Sequence, residues 1–465
     1  MSLTYGVAAL ARPTFDVPFA EEMKDRAFAA LDAAGIKTVG PRTLLFDGPA
    51  TEKALAEIKA AGKIDVLLIM QVTFTDASMT VKIAEDARTP IAIWALPEPR
   101  LGGRLRLNAL CGINLAAHAL GRVGRSHGAL YAKPDAPGLA ESLRKLAAPK
   151  SAQPTRAKPV AATANAEAER VLAALQGTKI SVVGRHPQGF HTCEYDADLL
   201  RRLVGLSVDI VTLDTLFAKA KATDAARVAG HRASVGNSLA GIDEMNQEQL
   251  DKSLRVFCAL QDVKKETGAK GLAVRCWPEM FTEYGCAACG PMAMMNEAQV
   301  PSACEADVNG SLSQLMLQEL AGEPAWMADL VDLDTADNTA VLWHCGLAPM
   351  SMRDPAARAE ATIHTNRKMP LLHQFPIKPG RVTLARLSQA RNQTKLMLAG
   401  AEVIRAPMAF TGTSGVITFD RPAAEVFTTI MDEALEHHFA LAYGDHRPAL
   451  RAIAHKLNLP VLELA

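Results

Sequence analysis

Aromatic side chains are scarce in this chain, with 5 tyrosines, 4 tryptophans and 14 phenylalanines among 465 residues. Together with abundant alanine, that suits a helix-rich α/β core better than an all-β one. An excess of either charge is missing too, since 50 Lys plus Arg balance 50 Asp plus Glu. Nothing therefore favours nucleic acid or an anionic membrane surface as a partner. No run of eighteen apolar residues occurs, so no membrane span is read. The opening MSLTYGVAAL lacks a basic stretch followed by an apolar core and a cleavage site, so no signal peptide is read either. The 8 cysteines are scattered, without a disulfide framework, and free thiols in a reducing cytoplasm are expected. Cys286 and Cys289 form one CxxC, but no second pair or HxxxH accompanies it, so a packed loop without zinc is expected. No GxGxxG follows the first strand, which leaves a nicotinamide cofactor unindicated.

What is present is a large apolar fraction, 49% of the residues, in a chain long enough for two to four domains. Residues 1–148 alternate buried strands (3–10, 65–71, 91–94, 128–131) with helices (18–34, 51–61, 78–87, 108–120), the pattern of a doubly wound domain. Gly35 suits a helix C-cap and Thr51 a helix N-cap. Residues 149–168 are rich in Pro, Ala and Lys and read as a linker or surface arm. A second α/β unit follows over 169–300. Residues 301–465 change character: short runs at 371–375, 380–387, 395–404 and 416–419, separated by Pro and Gly, read as antiparallel β forming a small barrel. A helix is expected over 427–443, then a last helix over 448–457 and a strand over 459–464. The fold class is thus two doubly wound α/β domains and a C-terminal domain with a barrel-like part.

The richest stretch runs from Gly271 to Leu320. Two short buried strands end there in carboxylates, at Glu279 and at Glu305-Ala306-Asp307. Parallel strands bring their carboxyl ends together, and ligands bind beyond such ends in open α/β sheets. Paired carboxylates there suit a hard divalent metal or acid/base work. The same pattern also fits a solvated loop acid at Glu279 and a simple helix cap at Asp307.

Several ordered segments carry a resemblance: NALCGINLAAHAL at 108–120, GHRASVGNSLAGIDEMNQEQL at 230–250, WPEM at 277–280, CEADVNG at 304–310, HCGLAP at 344–349 and GDH at 444–446. In that order, over nearly the whole chain, they resemble the L-fucose/L-arabinose isomerase family. The resemblance implies a Glu, an Asp and a His around one divalent metal, usually manganese, with the two carboxylates moving protons. Carried onto this chain, these are Glu279, Asp307 and His446. It also implies trimers or hexamers in which the first domain of one subunit closes its neighbour's active site. A hexamer is expected, with Gln71, Thr73 and His118 contributing across the interface.

The chemistry that follows is aldose–ketose isomerisation through an enediol, with a small sugar as partner. Mixed oxygen and nitrogen ligands favour Mn2+, with Co2+ or Mg2+ as alternatives. Glu305 is either a supporting acid beside the metal or purely structural, and His437 or His438 is an alternative ligand. His344 is the candidate for holding a substrate oxygen, against a buried structural role. Arg185, His191, Trp277 and Arg275 are candidates for the substrate pocket. Arg275 faces either an anionic sugar substituent or a salt-bridge partner. Two other readings stay open: a metal-dependent epimerase on the same scaffold, and a non-catalytic sugar-binding protein.

Overall fold

The computed structural model describes residues 3–148, 150 and 154–465. Its first sheet is wholly parallel and holds β1 (Thr4–Leu10), β2 (Lys37–Val39), β3 (Leu44–Leu45), β4 (Val66–Gln71), β5 (Ile91–Ala95) and β6 (His127–Tyr131). The order is β2-β1-β4-β5-β6, with β3 on β1. β4 and β5 are buried along their full length, as strands covered by helices on both faces must be. The helix Val17–Ala33 ends before Gly35 at φ +69, where a side chain would be strained. The helix expected from Thr51 starts earlier, spanning Gly48–Ala60. Asp47, not Thr51, caps it by accepting from the Ala50 N–H at 2.8 Å, because three helical residues, Gly48, Pro49 and Ala50, precede Thr51.

The second sheet is also parallel, in the order β10-β9-β7-β8, from β7 (Lys179–Val183), β8 (Ser207–Val211), β9 (Gly271–Val274) and β10 (Ser302–Ala303). It runs to Ala303, past the division expected at residue 300.

The third sheet is mixed and large. It comprises β11 (Trp326–Asp334), β12 (Thr339–His344), β13 (Glu360–Thr362), β14 (Leu372–Pro376), β15 (Gly380–Ser388), β16 (Lys395–Ile404), β17 (Thr413–Phe419), β18 (His438–Tyr443) and β19 (Val461–Glu463). The pairing order is β13-β14-β17-β12-β11-β18-β15-β16-β19, and β16 also pairs with β17. The chain is thus a mixed α/β protein with two parallel sheets and one large mixed sheet.

Two departures from expectation occur in this last sheet, and both shape the site. The helix expected over 427–443 stops at Glu433. Ala434 takes a left-handed φ of +52 and the Leu435 N–H closes back onto Ile430 O, a helix-ending turn. His438–Tyr443 is then a strand, not a helix, set between β11 and β15. Buried on both faces, it shows no period-two alternation and reads as a continuation of the helix. β11 was not expected at all, since Asp329, Asp332 and Asp334 count against strand propensity.

The segment expected as a linker is partly pinned. Residues 149 and 151–153 lie outside the described residues. Beyond them, Thr155 Oγ1 and the Arg156 N–H donate to Glu433, and Lys158 bridges Val461. Glu433 and Lys395 form a buried ion pair at 2.6 Å. Glu433→Gln leaves the Lys395 charge uncompensated, and a loss of about 3 kcal/mol in unfolding free energy is expected. Faster tryptic cleavage after Arg156 should accompany it. An unchanged denaturation midpoint would show that the pair is dispensable.

Candidate functional site

A cleft of about 760 Å³ lies where the three sheets meet. Loops of the first segment line it with Arg12, Phe15, Phe74 and Asn108, the second with Trp277 and Glu305, and the third with Asp329, His344, Arg367 and His437. One wall carries Phe15, Phe74 and Trp277, with the fully buried Phe190 packed behind it between the last two; the ring centroids are 5.9, 5.8 and 5.1 Å apart in turn. Such rings form an apolar face against which a sugar can lie.

The floor is acidic and imidazole-rich. Asp329 on β11 pairs directly with His438 on β18 across the antiparallel ladder, so the two side chains share a face. Asp329 Oδ1 lies 3.4 Å from His438 Nε2, is buried, and has no hydrogen-bond partner. Glu305 follows β10 in a tight turn where both it and Ala306 take φ +57. Its Oε2 lies 3.1 Å from His437 Nε2 and 3.6 Å from His438 Nε2, and its Oε1 accepts from Trp277 Nε1 at 3.2 Å. Burial would raise the Glu305 pKa, but the hydrogen bond and charge of His437 outweigh it and hold it below the ordinary value.

Among the described residues, two groups bring three ligand-type atoms within 4.8 Å of one another: Cys193, Glu305, His438 and Asp329, His344, His438. Cys193 is a poor donor, because burial pushes its thiol well above the usual range and keeps it protonated. The Cys345 N–H donates to His344 Nδ1 at 2.8 Å, so the neutral ring carries its proton on Nε2. Burial lowers the His344 pKa to about 4, so the ring is neutral near pH 7. Its buried Nε2 has no partner and presents an N–H donor to the cleft. His438 differs: its Nδ1–H donates to Asp307 at 2.9 Å, which directs Nε2 towards Glu305 and Asp329. A carboxylate behind an imidazole is the usual support for a metal-ligating histidine. With Cys193 and His344 set aside, the acceptors left beside His438 are Glu305 from the one group and Asp329 from the other.

The expected triad is dispersed. Glu279 is held bidentately by Arg275 and does not line the cleft. Asp307 is fully buried and saturated: Oδ1 accepts from the Gly310 N–H and Arg386 Nη2, and Oδ2 from Arg386 Nη1 and His438 Nδ1. Four donors fill its four acceptor positions, leaving none for a metal. His446 lies past the far end of β18, where its Nε2 meets Tyr443 O at 2.8 Å. Five strand steps separate Tyr443 from His438, roughly 17 Å. A backbone ladder therefore holds His446 away from the acidic cluster.

Of the other expected residues, Trp277 and His344 line the cleft. Arg275 is spent on Glu279, and Arg185 is exposed. His191 faces Glu194 at 2.9 Å in a separate hollow with His118 and Arg122. Gln71 is buried in the first segment, donating to Thr73 O and Thr75 Oγ1. Thr73 Oγ1 accepts from the Arg12 N–H, and His118 Nδ1 pairs with Ala434 O of its own chain. The first segment lines its own chain's cleft through Arg12, Phe15, Phe74 and Asn108. Cys289 lines the cleft beside Cys345, whereas Cys286 is buried near Ser253. Asp329, Arg12 and Arg367 were missed. No motif marks them, and Asp329 sits on the strand that propensity hid.

Residues 6–151 match a family model described as fucose/sulfoquinovose isomerase, N-terminal domain. A sulfoquinovose isomerase of Priestia aryabhattai is 30% identical over 451 residues, covering 97% of this chain and 96% of the relative. One of Alkalicoccus urumqiensis is 28% identical over 466 residues, covering 99% of each. Similarity at that level over almost the full length shows that the chain belongs to the fucose/sulfoquinovose isomerase family and is an aldose–ketose isomerase.

Proposed function

We propose that the cleft interconverts an anionic aldose, sulfoquinovose or a close analogue, and its ketose through an enediol, with a divalent cation at Glu305, Asp329 and His438. The observation that carries this reading is the buried, unpartnered Asp329 Oδ1 facing His438 Nε2 at 3.4 Å beside Glu305. Glu305 and Asp329 face one imidazole while Arg386 balances the charge of Asp307, and a divalent cation balances the remaining two carboxylates. When bound, manganese, or else cobalt or magnesium, would supply Lewis-acid stabilisation to the two sugar oxygens.

The chain's own groups account for the rest. The reaction moves one proton between C1 and C2 and one between O1 and O2, with no external oxidant. Glu305 takes the carbon-bound proton and returns it to the neighbouring carbon. His437 orients its carboxylate, and the His437 hydrogen bond keeps it ionised. His344 Nε2–H donates to the oxygen on which charge develops, a fixed donor in a dry site. The aromatic wall excludes water and aligns the ring-opened sugar. A closed homo-oligomer, a hexamer by family resemblance, remains part of the proposal, with light scattering at catalytic concentration as its measurement.

Metal-stripped protein resupplied with Mn2+ should convert sulfoquinovose to its ketose in D2O, with deuterium appearing at C1 or C2. A C2 epimer as sole product would replace the isomerase reading. Glu305→Gln and Asp329→Asn should each lower kcat about a hundredfold or more, with reduced manganese content and an unchanged fold. Activity lost in Glu279→Gln or His446→Ala but kept in Glu305→Gln would return the centre to those residues.

Asp307→Asn should behave differently, as a loss of about 3 kcal/mol in stability, because buried Arg386 loses its closest carboxylate and keeps only Glu436, 3.5 Å from its Nε. Burial opposes ionisation of Asp307, but the Arg386 charge and the His438 hydrogen bond hold its pKa well below 3.8. Its stabilisation is therefore full above that ordinary value and fades as pH falls below it. The margin of wild type over Asp307→Asn should shrink on acidification, measured by urea unfolding from pH 6 to pH 3. A margin that grows would contradict the ion-pair reading.

A further inference from the structure

Two arginines stand over one indole in this cleft. The Arg12 guanidinium lies 4.4 Å from the Trp277 ring centroid and the Arg367 guanidinium 5.9 Å from it. They come from opposite ends of the chain, Arg12 after β1 and Arg367 from the loop between β13 and β14. Each also sits over a phenylalanine, Phe74 for Arg12 at 5.8 Å and Phe281 for Arg367 at 5.6 Å. Among the described residues, the sole carboxylate within 4.0 Å of Arg12 is Asp76, at 3.5 Å and poorly placed for a fork, and Arg367 has none. Glu305, the next acid felt by Arg12, is already held by His437 and Trp277. Burial lowers the pKa of both arginines, and Arg12 lowers that of Arg367 further by repulsion.

Two partly desolvated cations at one indole, with only Asp76 beside Arg12 and no carboxylate within 4.0 Å of Arg367 among the described residues, are an unfavourable arrangement unless something negative visits. The surrounding loops hold them there. Arg104 Nε donates to Asn366 Oδ1 at 2.7 Å and its Nη2 to Thr14 O at 3.1 Å, tying the Arg12 loop to the Arg367 loop. Trp277 connects this end of the cleft to the acidic floor, because its Nε1 donates to Glu305 while its ring carries the guanidinium groups. A hexose laid along the indole with C1 and C2 at Glu305 places its far end at the arginines.

We infer that Arg12 and Arg367 form a subsite for a tetrahedral anion on the terminal carbon of the sugar, a sulfonate. This rests on the isomerase reading of the same cleft, which it deepens by assigning the group that selects a C6 sulfonate over a C6 hydroxyl. Guanidinium donors match the oxygens of a tetrahedral anion, and Trp277 excludes water behind them.

The test uses the full chain loaded with manganese and two ligands without a carbonyl: a 6-deoxy-6-sulfohexitol and the plain hexitol. Calorimetry should show the wild type binding the sulfonated compound more tightly. Arg367→Ala should weaken that binding about tenfold to a hundredfold, leave the plain hexitol unaffected, and regain part of the loss as Arg367→Lys. No sulfonate preference in the wild type, or an equal loss for both ligands in Arg367→Ala, would overturn the subsite. Failure of the isomerase reading looks different: the sulfonated hexitol binds through Arg367, yet sulfoquinovose gives no ketose. A protein that isomerises sulfoquinovose without any sulfonate preference has the activity and lacks the subsite.

Discussion

The buried chain of charge from Arg386 through Asp307 to His438 is the constraint on which the rest of the site depends. Arg386 and Asp307 are buried at 2.7 Å, and Asp307 in turn fixes the His438 ring at 2.9 Å. A buried pair of this kind is weak evidence for net stability, since desolvation offsets much of the attraction. Its clearer effect is orientation. Asp307 caps the helix Val308–Ala321 through Gly310, so one carboxylate joins a helix start, a strand arginine and a site imidazole. Glu436 adds a further acid, 3.5 Å from Arg386 Nε and bonded to Ser388 and Gln389. With His438 held from behind, Nε2 has one direction to face, towards Glu305 and Asp329.

The cleft draws on all three sheets, and this explains its division of labour. The antiparallel ladder of β11 and β18 sets Asp329 opposite His438 by register alone. A slip of one residue would turn both to the other face. The parallel sheets supply loops beyond their carboxyl ends, Arg12 after β1 and Glu305 after β10. The groups proposed to react therefore lie on or next to the rigid ladder, and those proposed for recognition lie on loops. Loops can vary in sequence without disturbing strand pairing.

Few aromatics were available to this chain, and several of them are concentrated here. Phe15, Phe74 and Trp277 form the wall with Phe190 buried behind them, and Trp343 stacks beside His344. Trp277 serves both ends, as hydrogen-bond donor to Glu305 and as the ring beneath Arg12 and Arg367. The same packing explains why no carboxylate neutralises Arg367: its neighbours are rings and another arginine.

Much was legible in the sequence. Alternating buried strands and capped helices described the two parallel sheets, and ordered segments from Asn108 to His446 carried the family. The acidic turn at 304–307 was singled out, but which of its acids faces the cleft depended on contacts. Glu305 and Asp307 are two residues apart, and a left-handed turn sends one to the cleft and the other to Arg386. Asp329 and the strand form of 438–443 stayed hidden because both strands are buried on both faces and carry no alternation. The arginines were invisible for a different reason: Arg12 and Arg367 are 355 positions apart and meet only over Trp277. Local pattern determined most of the elements, because propensity and caps act over a few positions, while the reaction class came from the resemblance of ordered segments to a family. Tertiary structure decided which acids and which cations share the cleft, because saturation of Asp307, the register of β11 and β18, and the pairing of Arg275 with Glu279 are long-range or geometric facts that no spacing encodes.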